Sequence, residues 1–144
     1  MVGGIIVPGA AIGPIAIGDE RAAIAARHGD GVVASRTRDP EHPGNRNLDR
    51  VTIRYPALSL VAAFPTDEAS SGAERLATRS RAYRTRAGVG VGSTRAAVRR
   101  AHPAAVCGAA SCRIGRALPG RVVTRFQLAR GRVVRVDLRR TPLG

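Results

Sequence analysis

Acid–base catalysis and metal binding need His, Cys or carboxylate side chains brought together, and in this chain those residues are few and scattered. The histidines are His28, His42 and His102, and the cysteines are Cys107 and Cys112. Eight of the ten acids lie between Asp19 and Glu68, in expected helix caps and loops where water keeps them apart. Beyond Glu74 the only acid is Asp137, among Arg135, Arg139 and Arg140, where an ion pair is expected. His28 and His102 end two similar predicted helices, and a histidine there complements the helix dipole. His42 sits in a charged loop. The run Gly88-x-Gly90-x-Gly92 before a helix suggests a phosphate cradle, but the dinucleotide fingerprint would need its third glycine at Ser93, and the chain has no lysine for a phosphate-binding loop. These glycines read as turn geometry. No catalytic residue, cofactor or metal site is expected, and the chain is not read as an enzyme.

Cys107 and Cys112 flank four residues. That spacing suits the two arms of a tight hairpin, where opposed Cα atoms approach the ~5.5 Å a disulfide favours. A structural disulfide, contributing about 2 kcal/mol, is the leading reading; two free thiols or a reactive pair are the alternatives. A disulfide places the chain in the extracellular space or cell envelope. Residues Met1–Pro8 lack the positive charge of a signal peptide, so the expectation is that a signal has been removed or that the start was misassigned, with a cytosolic protein as the alternative.

The basic residues are the third candidate for chemistry. All 24 are arginine, against ten acids, for a net charge of +14. Arginine without lysine, beside abundant Ala and Gly, is also what a GC-rich genome produces, so part of the excess is background. Its distribution is not. Residues 1–72 hold seven Arg and eight acids, whereas residues 73–144 hold seventeen Arg and two acids. Either the second half has a solvated surface that tolerates arginine, or it carries a basic face that meets an acidic partner. Nucleic acid is disfavoured as that partner: base stacking needs aromatic faces, and the basic half offers only Tyr83 and Phe126.

The elements that must position these residues are legible in outline. With 44% hydrophobic residues over 144 positions, one domain can bury a core, and no apolar run approaches the ~18 residues of a membrane-spanning helix. Ile17-Gly18-Asp19-Glu20-Arg21-Ala22-Ala23-Ile24 aligns with Val91-Gly92-Ser93-Thr94-Arg95-Ala96-Ala97-Val98, and His28 with His102. Asp19 and Ser93 read as N-caps, Gly29 and Pro103 as stops. Val51, Ile53 and Tyr55 then alternate as a strand; Leu58 to Phe64 and, more weakly, Leu76 to Tyr83 follow. Val122 to Leu128 and Val134 to Leu138 alternate around Ala129-Arg130-Gly131 as a hairpin. Segments 36–49 and 65–72 read as loops.

The expected fold is therefore α+β: one domain over 1–144, with an N-terminal segment 1–11 and two tandem copies, 12–84 and 85–144. Each copy is a short helix followed by antiparallel strands, with the helices on one face of the sheet. Outward alternation in those strands gathers Arg125 and Arg135, with Arg121 and Arg132 nearby, into a candidate basic binding face.

The apolar-Gly-(Asp/Ser)-x-Arg-Ala-x-(Ile/Val) opening, the strands after it and the near-75-residue period resemble the β-lactamase inhibitory protein and related repeat domains. At the level of one copy they are similar to outer-membrane assembly lipoproteins of the SmpA/OmlA type. Tyr83-Arg84-Thr85, Gly88 to Thr94, Cys107 with Cys112, Thr124-Arg125-Phe126 and Gly131-Arg132-Val133 look like secreted or lipoprotein domains of GC-rich actinobacteria. The resemblance spans residues 12–140 and implies a fold rather than an activity. The inhibitor binds a cleft-bearing enzyme through loops and a concave sheet; its aromatic-rich contacts have no counterpart here, and no inhibitory residue is carried over. The expected role is a non-enzymatic extracytoplasmic module contacting an acidic protein or an envelope surface. The alternative is arginine-mediated binding of an anionic polymer, either nucleic acid or phosphate-bearing envelope material.

Overall fold

Short β-branched runs punctuated by Gly and Pro outnumber the helical stretches, and strands dominate the result. The computed structural model describes residues 3–143, so Met1 and Val2 of the expected N-terminal segment, and Gly144, lie outside the described residues. Strand accounts for 42% of the chain and helix for 15%. The small first sheet comprises β1 (Gly4–Val7), β2 (Ala11–Ile12), β3 (Ile15–Ala16) and β8 (Tyr83–Thr85), in the order β3-β2-β1-β8 with β1 and β8 parallel. The large antiparallel sheet comprises β4 (Val32–Thr37), β5 (Arg50–Tyr55), β6 (Leu60–Phe64), β7 (Arg75–Thr78), β9 (Val106–Cys107), β10 (Ser111–Ile114), β11 (Val122–Ala129) and β12 (Arg132–Arg140). Its order is β4-β5-β6-β7-β12-β11-β10-β9. The helices are α1 (Arg21–His28) and α2 (Arg95–Ala101).

This corrects the α+β expectation of two helix-plus-strand copies with helices covering one sheet. The helices are only eight and seven residues long, each with one fully buried side chain, Ile24 or Val98. Residues 4–16, expected to be an N-terminal segment to residue 11 and then the start of the first copy, instead supply three strands. Their apolar positions Ile6, Ile12 and Ile15 are fully buried, with Pro8-Gly9 and Gly13-Pro14 making the turns. The span from Leu76 to Tyr83 is not one strand: Arg75–Thr78 joins the large sheet and Tyr83 begins β8 in the small one. Strand β4 extends to Thr37, inside the segment read as a loop from residue 36.

Likeness between the two helical segments is local and lies in their hydrogen bonds. Gly18 (φ 93°) donates its N–H to the carbonyl of Ala73, and Gly92 (φ 95°) donates to Val133. Arg21 N–H reaches Ser71 O, and Arg95 N–H reaches Gly131 O. The N-caps fall one residue later than expected, at Glu20 and Thr94, and only Thr94 caps with its side chain, accepting from Ala97 N–H. Asp19 Oδ2 and Ser93 Oγ are taken by the preceding turns, accepting from Ala16 and Gly90 N–H.

One face of the large sheet builds the core. Val51, Ile53 and Tyr55 point inward from β5; Leu60, Ala62 and Phe64 from β6; and Leu76, Phe126, Val136 and Leu138 from the centre. The small sheet caps this face, tied on by Gly9 N–H donating to Thr124 Oγ1 at 2.7 Å. The β11–β12 connection is the two-residue loop Arg130-Gly131, both at positive φ (54° and 75°), as the expected hairpin requires.

Gly13 (φ 56°) packs so closely on Tyr83 that a Cβ would lie 2.4 Å from the ring Cε1. Tyr83 is buried and donates its hydroxyl to Leu58 O. Gly29 is also at positive φ but has open space around it. Gly29→Ala, which carries backbone strain alone, is expected to cost about 1–3 kcal/mol, and Gly13→Ala, which adds the clash with the Tyr83 ring, about 3–5 kcal/mol, the difference being read from urea unfolding midpoints.

Candidate functional site

The face of the large sheet opposite the core is lined by arginine. Antiparallel pairing puts directly opposed residues on one side, and one row runs Arg54, Val61, Ala77, Asp137, Arg125, Arg113 from β5 to β10. The next row runs Thr52, Ala63, Arg75, Arg139, Val123. Arg135 sits opposite Gln127, and Arg50 extends the face along β5. The sequence permits this because arginine occupies outward positions of period-two strands whose inward positions are Ile, Leu and Val. An irregularity opposite Gln127 and Leu128 absorbs Val134 and keeps Arg135, Asp137 and Arg139 outward while Val133 and Val136 stay in the core.

Two carboxylates serve these seven arginines. Asp137, 7% exposed, accepts from Arg75 Nη2 at 3.0 Å and lies 4.0 Å from Arg135 Nη2. Glu74 pairs with Arg50. Among the described residues, Arg54, Arg113, Arg125 and Arg139 have no carboxylate within 4.0 Å. Arg75 Nε is buried without a hydrogen-bond partner among the described residues. Burial, and after it the neighbouring Arg75 guanidinium, pushes Arg135 below its ordinary pKa; Asp137 opposes this and Arg79 adds to it. Positive charge is thus concentrated beyond what the face neutralises.

Small outward residues on β6 and β7, Val61 and Ala77, leave a depression of about 570 Å³ among Arg54, Arg79 and Arg135. A second, of about 250 Å³, lies around Asp137 among Arg75, Arg113, Arg125 and Arg139.

The expected candidates divide across the molecule. Arg125 and Arg135 share the open face. Arg132 does not: its Nη1 donates to Gly92 O at 3.0 Å, tying the hairpin to the turn before α2. Arg121 stands exposed in the turn before β11. Cys107 and Cys112 are opposed across β9 and β10, with Cα atoms 4.0 Å apart, and are disulfide-bonded. His28 ends α1, whereas His102 follows α2, stacks on Phe126 and lies 3.2 Å from Thr85 Oγ1. Among the described residues no group of three or more His, Cys, Asp or Glu could hold a metal ion, and no helix is long and apolar enough to cross a membrane. Arg54, Arg75, Arg113 and Arg139 were not assigned to the basic face from the sequence; Arg139 was named only beside Asp137, which pairs with Arg75 and Arg135 instead. Their signal was the outward position beside Ile53, Leu76, Cys112 and Leu138.

Asp137→Asn would leave Arg75 and Arg135 adjacent without a counter-charge. It is expected to cost about 1–3 kcal/mol, the lower end reflecting the 38% exposure of the Arg75 side chain. Thermal unfolding should show the deficit shrinking as salt screens the repulsion. Comparison with family models, curated proteins and solved structures finds no match.

Proposed function

We propose that this chain is a non-enzymatic extracytoplasmic binding module whose open, arginine-lined sheet face receives an acidic protein partner. The observation that carries the reading is the ladder row in which Arg54, Arg125 and Arg113 flank Val61, Ala77 and Asp137, the one carboxylate of the row being engaged by Arg75 and Arg135 and lying beyond 4.0 Å of these three arginines. A guanidinium desolvated by a partner favours carboxylate, which it can meet with two parallel hydrogen bonds. The Cys107–Cys112 disulfide supports an oxidising compartment, since such bonds are rare in cytosol.

Binding of nucleic acid is the weaker reading. All four aromatic residues, Tyr55, Phe64, Tyr83 and Phe126, are buried at 2% exposure or less. The sheet therefore has no aromatic platform for stacking bases, an interaction worth about 1–3 kcal/mol per base.

The test uses the whole chain as bait on an envelope extract of its source organism, at about 0.05 M and about 0.5 M salt. An Arg54→Glu/Arg125→Glu/Arg139→Glu variant serves as the control. A discrete acidic protein should be retained by the parent chain, in part at high salt, and lost by the variant. Equal capture by the variant would contradict the reading. So would capture of nucleic acid or polyphosphate alone, with all binding lost at high salt.

A further inference from the structure

The larger depression has a construction of its own. Its floor is Val61 and Ala77, opposed across β6 and β7, and Arg54, Arg79 and Arg135 stand around it. Its lining contains no acid. Pro56 and Ser59, from the turn joining β5 to β6, form one lip. That turn is held from the core side: Thr78 donates its hydroxyl to Ser59 O at 2.8 Å and Tyr83 donates to Leu58 O. Ser59 itself is fixed at φ 54°, a left-handed conformation that a non-glycine residue keeps only when its surroundings impose it. The lip is therefore preorganised rather than shaped by whatever binds.

Three features select the occupant. The volume, about 570 Å³, lies within the ~300–1,000 Å³ of ligand pockets and exceeds one side chain. The floor is apolar, so an occupant that is only a string of charges leaves it wet. Arg54 and Arg135 stand on strands three spacings apart, about 14 Å at the backbone, so they flank a chain rather than clamp one small anion. We propose that this depression is the anchor subsite for the acidic partner. It takes one apolar side chain of an extended segment on Val61 and Ala77, while neighbouring carboxylates pair with Arg54, Arg79 and Arg135. The assignment rests on the reading of the face given above and names the chemistry of the segment recognised: acidic residues on both sides of a single Phe or Leu.

Three fluorescein-labelled peptides test it by anisotropy against the whole chain: an acidic peptide with a central Phe, the same peptide with Ser in that place, and a neutral peptide with the Phe kept. The Phe-containing acidic peptide is expected to bind about tenfold or more tighter than its Ser counterpart, as burial of an aromatic side chain implies. Ala77→Leu, which fills the floor, should abolish that difference. Arg79→Gln should weaken both acidic peptides, and an unaltered thermal unfolding midpoint confirms that each variant is folded. Equal affinity of the Phe and Ser peptides for the parent chain would overturn the anchor while leaving the basic face standing. Acidic peptides that bind no better than the neutral one would overturn both.

Discussion

Four paired positions between β7 and β12, from Arg75 with Arg139 to Thr78 with Val136, join the first four strands of the large sheet to the last four. Each set of four is an antiparallel meander with its own core-side and solvent-side rows, and the seam makes both faces continuous across eight strands. Inward, it brings Leu76 and Leu138 side by side in the core; outward, it sets Ala77 beside Asp137 and Arg75 beside Arg139. Through Asp137 it links Arg75 of β7 to Arg135 of β12. The long-range pairing has a loop-closure cost, because β7 and β12 are separated by the small-sheet strand β8, by α2 and by two hairpins. Burial of the side chains on both sides of the seam is the term large enough to offset it.

The open face carries an electrostatic load that the core tolerates because the charges stand at its solvent side. Asp137 is the one buried acid of the sheet and is shared between Arg75 and Arg135, so it neutralises the centre and leaves the flanks positive. The two flanks are separated by small side chains, which converts a charged sheet into a trough. Aromatic side chains, the usual adhesive of protein interfaces, are all committed to the interior. The proposed recognition therefore rests on guanidinium geometry and on the small apolar floor, a combination that suits carboxylate better than stacked bases.

Much of the local structure was legible in the sequence. Alternation marked β5, β11 and β12; the Arg130-Gly131 turn marked their hairpin partner; and the paired glycines marked the turns before both helices. The disulfide followed from a spacing that places two cysteines across one short hairpin. Fold class was not legible, for a physical reason. Short strands such as β2 and β3, two residues each, have too little periodicity to announce themselves, and β1 pairs in parallel with β8 nearly eighty residues away. Nothing local to Ile5 or Tyr83 encodes that contact. The arginine-lined face was legible only in part: Arg125 and Arg135 lie on neighbouring strands of a recognisable hairpin. Arg54 and Arg75 join them only through the order of strands across the seam. Arg132 had the right sequence position and the wrong environment, because its guanidinium was claimed by a carbonyl of the preceding turn.

Native-state hydrogen exchange of the backbone amides tests the seam most directly. If the large sheet depends on it, the amides of Leu76, Ala77, Asp137 and Leu138 exchange only through global unfolding, at the free energy shared by the slowest core amides of β5 and β11. Exchange of these four through a separate, lower-energy opening, with β5 and β11 still protected, would contradict the account: the two meanders would then hold their folds without the pairing that unites them.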